Sequence, residues 1–153
     1  METAYQSLIQ HLDAHKIKYQ ADIDGQRVGA WFGTPNGLFP LHAGVTKGDP
    51  IFQVIGHVPI KVPVGSRPSI AEAIARANYG LKLGRFEMDY SDGELRFYVS
   101  HLISDGKLSD EVIERMIKTT VVMLDHYLPA FMSVIYGNEA PEEAIRREEL
   151  QLE

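Results

Sequence analysis

His11 and His15 are the first residues in the chain that could do chemistry. Four apart on a helix, two imidazoles leave one face together, the arrangement of a two-histidine metal site. A catalytic or structural metal needs at least a third protein ligand, and none stands close in the sequence. The glutamate of an H-E-x-x-H motif is missing too. Both histidines flank an apolar stripe, where half-solvated histidines are common. The expectation is therefore no metal and no cofactor, with a metal-dependent enzyme built on His11 and His15 kept only as an alternative. His42, His57, His101 and His126 are scattered and read as surface or boundary residues.

Other chemistries find less support. Zero cysteines exclude disulfides, thiolate metal sites and thiol catalysis. There is no G-x-S-x-G elbow, no G-x-G-x-x-G and no P-loop lysine pattern. Acid pairs such as Asp22 with Asp24, and Asp89 with Asp92, are explained by turn chemistry. The reading is a chain with no catalytic residues. A small-ligand sensor is the second alternative, with Asn78, Tyr79 and Tyr127 lining a pocket between helix and sheet, near Tyr136. Helix capping explains Asn78 and Gly80 more simply.

These residues must be positioned by regular elements. Thr3 and Gln6 form a T-x-x-Q capping box, and Tyr5, Leu8, Ile9 and Leu12 follow at helical spacing, predicting a helix to about His15. Asp24-Gly25 suits a type I′ turn, pairing Asp22 with Arg27, Ala21 with Val28, Tyr19 with Ala30 and Ile17 with Phe32. The two segments 38–45 and 51–58 alternate as strands around breaks at 34–37 and 47–50. Pro40 cannot donate a ladder bond, so it should face an edge or a bulge. Pro68 opens a second helix carrying Ile70, Ala73, Ile74 and Ala77, which Gly80 ends. A second type I′ turn at Asp92-Gly93 would pair Tyr90 with Leu95, Met88 with Phe97 and Phe86 with Val99, with Asp89 facing Arg96. Ser109 caps a long helix to Gly137, kinked or restarted at Pro129. The order α-β-β-β-β-α-β-β-α, plus a short terminal helix, predicts an α+β fold: an antiparallel sheet with helices packed on one face.

In that register Trp31, Leu38, Ile51 and Ile55 fall on the sheet face opposite the core. An exposed apolar patch of this kind marks a protein interface, so these four are the candidate partner-binding residues.

At 153 residues one domain suffices: 1–138 as the domain and 139–153 as a short acidic helix or tail. That tail holds six Glu and two Arg, net −4 of a total −6, and reads as dispensable for folding. A negative chain without clustered Lys and Arg excludes nucleic acid as partner. No apolar run approaches the roughly 20 residues of a membrane helix. The N-terminus does not read as a signal peptide, and a reducing cytoplasm suits the missing cysteines. The expected partner is a protein, with a homodimer as the expected assembly.

The segments from Val58 to Ser100 and from Leu108 to Ile145 resemble the YbjN family. Its most specific pieces here are Asn78-Tyr79-Gly80, Gly84-Arg85-Phe86-Glu87, Asp125-His126-Tyr127-Leu128-Pro129 and Tyr136-Gly137. His126 departs from the arginine expected there. The resemblance implies a fold like that of type III secretion chaperones and a role in bacterial sensory transduction or stress regulation. It implies no catalytic residues. The first third of the chain is similar only in the order of its elements.

Overall fold

The computed structural model describes residues 2–48 and 50–152. Asp49, within the break read at 47–50, lies outside the described residues. The elements are α1 (Ala4–Ala14), β1 (Gln20–Asp22), β2 (Arg27–Gly33), β3 (Leu38–Val45), β4 (Ile51–Lys61), α2 (Arg67–Asn78), β5 (Arg85–Met88), β6 (Glu94–Leu102), α3 (Asp110–Tyr136) and α4 (Pro141–Leu150). The six strands form one antiparallel sheet in the order β1-β2-β3-β4-β6-β5. This is the α+β architecture that the element pattern predicts. Among the described residues no helix is long and apolar enough to cross a membrane.

Strand alternation builds the core. Phe39, Leu41, Ala43 and Val45 of β3 are buried beside Phe52, Val54 and Val58 of β4 and Leu95, Phe97 and Val99 of β6. Leu8 and Leu12 of α1, Ile70 and Ala73 of α2, and Ile113, Leu124 and Phe131 of α3 close over them. Gly56 sits where α3 crosses the sheet; a Cβ there would lie 2.7 Å from Thr120 Cγ2. No side chain fits between helix and strand at that point. At the β5 end, the ring of Phe86 meets Phe97, Tyr127 and Phe131 edge-on, with centroids 5.0, 5.3 and 5.1 Å away.

The helix starts follow their signals. Gln6 N–H donates to Thr3 Oγ1 at 3.1 Å while Thr3 N–H donates to Gln6 Oε1 at 2.8 Å, completing the capping box. Ser109 Oγ accepts from Val112 N–H at 3.1 Å and starts α3, with Asp110 and Glu111 in its first turn.

Four details differ from expectation. The first hairpin keeps its register, with Ala21 opposite Val28 and Asp22 opposite Arg27, but not its turn type. The only positive φ in the loop is at Gln26 (52°), not at Asp24 or Gly25. The Asp22 carboxylate accepts from Gly25 N–H at 3.0 Å and Arg27 Nη2 at 3.2 Å, contacts that fasten the loop and hold its pKa below the usual carboxylate range. Tyr19 and Ile17 pack on the core without joining the ladder.

The second hairpin is slid by two residues. Phe86 faces Phe97, Met88 faces Leu95 and Glu87 faces Arg96. A longer loop wins because each aspartate takes a backbone donor. Asp89 accepts from Ser91 N–H and Asp92 from Glu94 N–H, both at 2.9 Å, and Gly93 alone turns left-handed (φ 81°). The cross-strand ion pair is accordingly Arg96–Glu87 at 2.8 Å, not Arg96 with Asp89.

The long helix neither stops nor restarts at Pro129. A proline there leaves the carbonyl of Asp125 without its helical donor. Asn36, in the β2–β3 turn, supplies one: its Nδ2 donates to Asp125 O at 3.1 Å, and its own N–H donates to Asp125 Oδ1 at 2.9 Å.

The acidic C-terminal segment is also packed rather than loose. Ala144, Ile145 and Glu148 of α4 are buried against α2 and α3. Net charge concealed the spacing that makes α4 amphipathic, so the expected dispensability does not fit the structure.

Candidate functional site

All four helices leave the second face of the sheet open. Alternation sends Trp31, Leu38, Pro40, His42, Ile51, Gln53, Ile55, His57, Arg96, Tyr98 and Leu102 to this side. Trp31 stands opposite Pro40, Ile55 between His42 and Tyr98, and Ile51 opposite Leu102. Trp31 keeps 63% of its surface in solvent, Leu38 54% and Leu102 67%, while Ile51 and Ile55 are half-buried. The four residues singled out for partner binding therefore share one face. Paired β3–β4 residues begin at Leu41 opposite Gly56, so Pro40 sits where no bond to β4 is due. Beside it a shallow hollow of about 660 Å³ is bordered by Lys18, Tyr19, Trp31, Pro40 and His42.

A polar chain crosses this face. His57 Nδ1 lies 3.2 Å from Glu94 Oε1, and His57 Nε2 lies 3.2 Å from His42 Nδ1. An ionised carboxylate only accepts, so His57 donates from Nδ1, accepts at Nε2, and His42 donates to it. Burial lowers the pKa of His57 against the upward pull of Glu94. Farther along, the Arg85 guanidinium lies 4.4 Å from the centroid of the Tyr98 ring, and Glu87 pairs with both Arg85 (2.9 Å) and Arg96 (2.8 Å). Gln53 Nε2 donates to Tyr98 Oη at 2.6 Å. The surface thus mixes apolar anchors with stiff, oriented polar groups, a composition suited to gripping a protein. Among the described residues, the hydrogen bonds of His42, His57 and Glu94 join no serine or other hydroxyl nucleophile. In sequence His42 and His57 carry no sign of being related. Only the β3–β4 register, with His42 opposite Ile55, makes them neighbours.

The three candidate ligand residues do not share one crevice. Asn78 Oδ1 accepts from Phe86 N–H at 2.8 Å and its Nδ2 donates to Phe86 O at 3.0 Å, so its amide clips α2 to strand β5. Tyr127 is buried, and its hydroxyl points to Glu149 Oε2 at 3.4 Å. Burial, then the nearby Glu149 charge, push its pKa up to about 12. Tyr79 is exposed on the wall of a crevice between α2 and α4 that it shares with Arg76, Glu142 and Arg146. Asn78 and Tyr127 do not line that crevice.

Around α1 the histidines are better furnished than their spacing suggested. His11 is buried, its Nδ1 2.5 Å from Asp110 Oδ1 at the start of α3. His15 stacks on it, ring centroids 4.1 Å apart, and its Nδ1 lies 2.9 Å from His11 O. Asp110 is ninety-nine residues from His11 in sequence, so spacing alone could not have found it.

With this geometry in place, comparison with known proteins gives three results. Residues 5–133 match the model of the YbjN family, which carries the description "putative bacterial sensory transduction regulator". The structure of YbjN from E. coli is similar with a TM-score of 0.53 at 11% identity, over 81% of this chain and 90% of that one. A chain of the HopA1–SchA chaperone–effector complex aligns with a TM-score of 0.49 at 18% identity, over 77% of this chain and 87% of that one. No curated protein gives a significant match to the sequence.

Proposed function

The chain belongs to the YbjN family, and we propose that it acts as a protein-binding regulator or chaperone-like module with no catalytic step of its own. The observation that carries this reading is the open sheet face. Trp31, Leu38, Ile55 and Leu102 present apolar surface there, although a helix layer covers the other side. Leaving a tryptophan 63% exposed gives the isolated fold little stability, whereas aromatic side chains are the commonest interface anchors. Arg85, Arg96, Glu87 and the His42–His57–Glu94 chain supply a polar surround.

Photo-crosslinking tests this directly. A crosslinker at Trp31 or Ile55 should trap protein adducts in the native host, and one at Glu114 on the solvent side of α3 should not. Equal trapping at both places, or none at either, overturns the reading.

Self-association through the same face is the simplest assembly, because a two-fold axis pairs a patch with itself. Sedimentation should give a dimer at micromolar concentration, shifted toward monomer by Trp31→Ser. A wild-type monomer at that concentration overturns the dimer without touching the proposal of a protein partner.

A further inference from the structure

We propose that His11, His15 and Asp110 form a binding site for a borderline divalent cation such as Zn²⁺, Ni²⁺ or Co²⁺. The fold supplies the third ligand that the sequence spacing lacked. One nitrogen from each imidazole and one carboxylate oxygen of Asp110 all lie within 4.8 Å of one another. Donor atoms on a tetrahedral ion with bonds of about 2.0–2.1 Å stand roughly 3.3 Å apart, so small side-chain rotations close the set. Two imidazoles and one carboxylate are the donors such ions prefer.

The hydrogen bond at His15 already prepares that ligand, and an ion would replace the proton between His11 Nδ1 and Asp110 Oδ1. His15 Nδ1 faces a backbone carbonyl, His11 O, at 2.9 Å. A carbonyl only accepts, so the proton is on Nδ1 and the Nε2 lone pair is free for a metal. That is the arrangement by which proteins orient a metal-binding histidine. His11 is buried where α1 meets α3, while His15 and Asp110 are exposed. One anchored and two accessible ligands leave room for a water or a further donor. His11 and Asp110 border an open groove of about 840 Å³ that Glu2, His101 and Asp105 also line. Occupied, the site would tie the first helix to the start of the longest one.

Isothermal titration of the apo protein with Zn²⁺, and visible spectra with Co²⁺, test the site. The expected result is one ion per chain and intense tetrahedral Co²⁺ bands. Affinity should fall at least tenfold, roughly the loss expected from removing a ligand or its support, in both His15→Ala and Asp110→Asn. Both altered residues are exposed, so far-ultraviolet circular dichroism should report an intact fold. The variants His42→Ala and His57→Ala should bind as wild type. No binding, binding that survives His15→Ala, or binding that disappears with the His42 and His57 variants instead, overturns the proposal. A His11–Asp110 contact serving only to pin two helices would give the first of these outcomes.

Discussion

On one side of the sheet Phe39, Phe52, Phe86 and Phe97 are shut away from water; on the other, Trp31, Leu38 and Leu102 each keep more than half their surface wet. Both sets come from strands of one sheet, sent to opposite sides by the pleat. The covered side shows where hydrophobic burial holds the monomer together, at about 25 cal/mol per Å² of apolar surface removed from water. The open side carries apolar surface that contributes nothing of this kind until something sits on it. The difference separates residues that fold the chain from residues free to bind.

That contrast can be broken by substitution. Phe97→Ala should cost the most, about 3–5 kcal/mol in denaturant melts, since its ring is fully buried against Phe86. A cost under about 1 kcal/mol would mean that the covered side is loosely packed. Ile145→Ala comes next, at about 2–5 kcal/mol, because α4 closes the core beside α2 and α3. Little loss there would return the C-terminal helix to the status of a dispensable tail.

A smaller effect is expected from pH. The folded state keeps the Tyr127 phenol protonated up to about pH 12, while the unfolded chain ionises near its ordinary value of about 10. Stability should therefore be unaffected by this group below about pH 10 and fall as pH rises toward 12. Tyr127→Phe should flatten that fall in melts across the range; an unchanged slope would remove Tyr127 as its source. Least of all, Trp31→Ser should shift monomer stability by no more than about 0.5 kcal/mol. The same change should weaken association by about 2 kcal/mol in sedimentation. Lost stability with unaltered association would erase the distinction between the two sides.

The two Asp-Gly hairpins show how far sequence reaches. In the first, the register is read correctly though the turn is not type I′; in the second, the register is two residues off. Both still place every core side chain inward, because a shift by two preserves the pleat. Face is thus a robust property of alternation, which is why Trp31, Leu38, Ile51 and Ile55 could be grouped in advance. Partners across the sheet depend on loop length, and loop length depended on the carboxylates of Asp89 and Asp92 taking backbone donors. The Arg96–Glu87 pair is invisible for that reason, whereas the His42–His57 contact depends on the β3–β4 register, which no turn signal fixed. Asp110 lay hidden for another: the docking of α1 on α3 is a packing result with no local signature. In α4, charge masked the spacing of Ala144, Ile145 and Glu148.

Asn36 and Pro129 have a mechanical consequence. A proline inside a helix ordinarily weakens it locally, yet here the freed carbonyl of Asp125 serves as an attachment point for the far end of the β2–β3 hairpin. Trp31 and Leu38 are carried by that same hairpin. A molecule seated on the open face that pulls or twists these strands transmits its load through one asparagine into the middle of α3. The hairpin and the helix must then shift together or part at the two hydrogen bonds between Asn36 and Asp125.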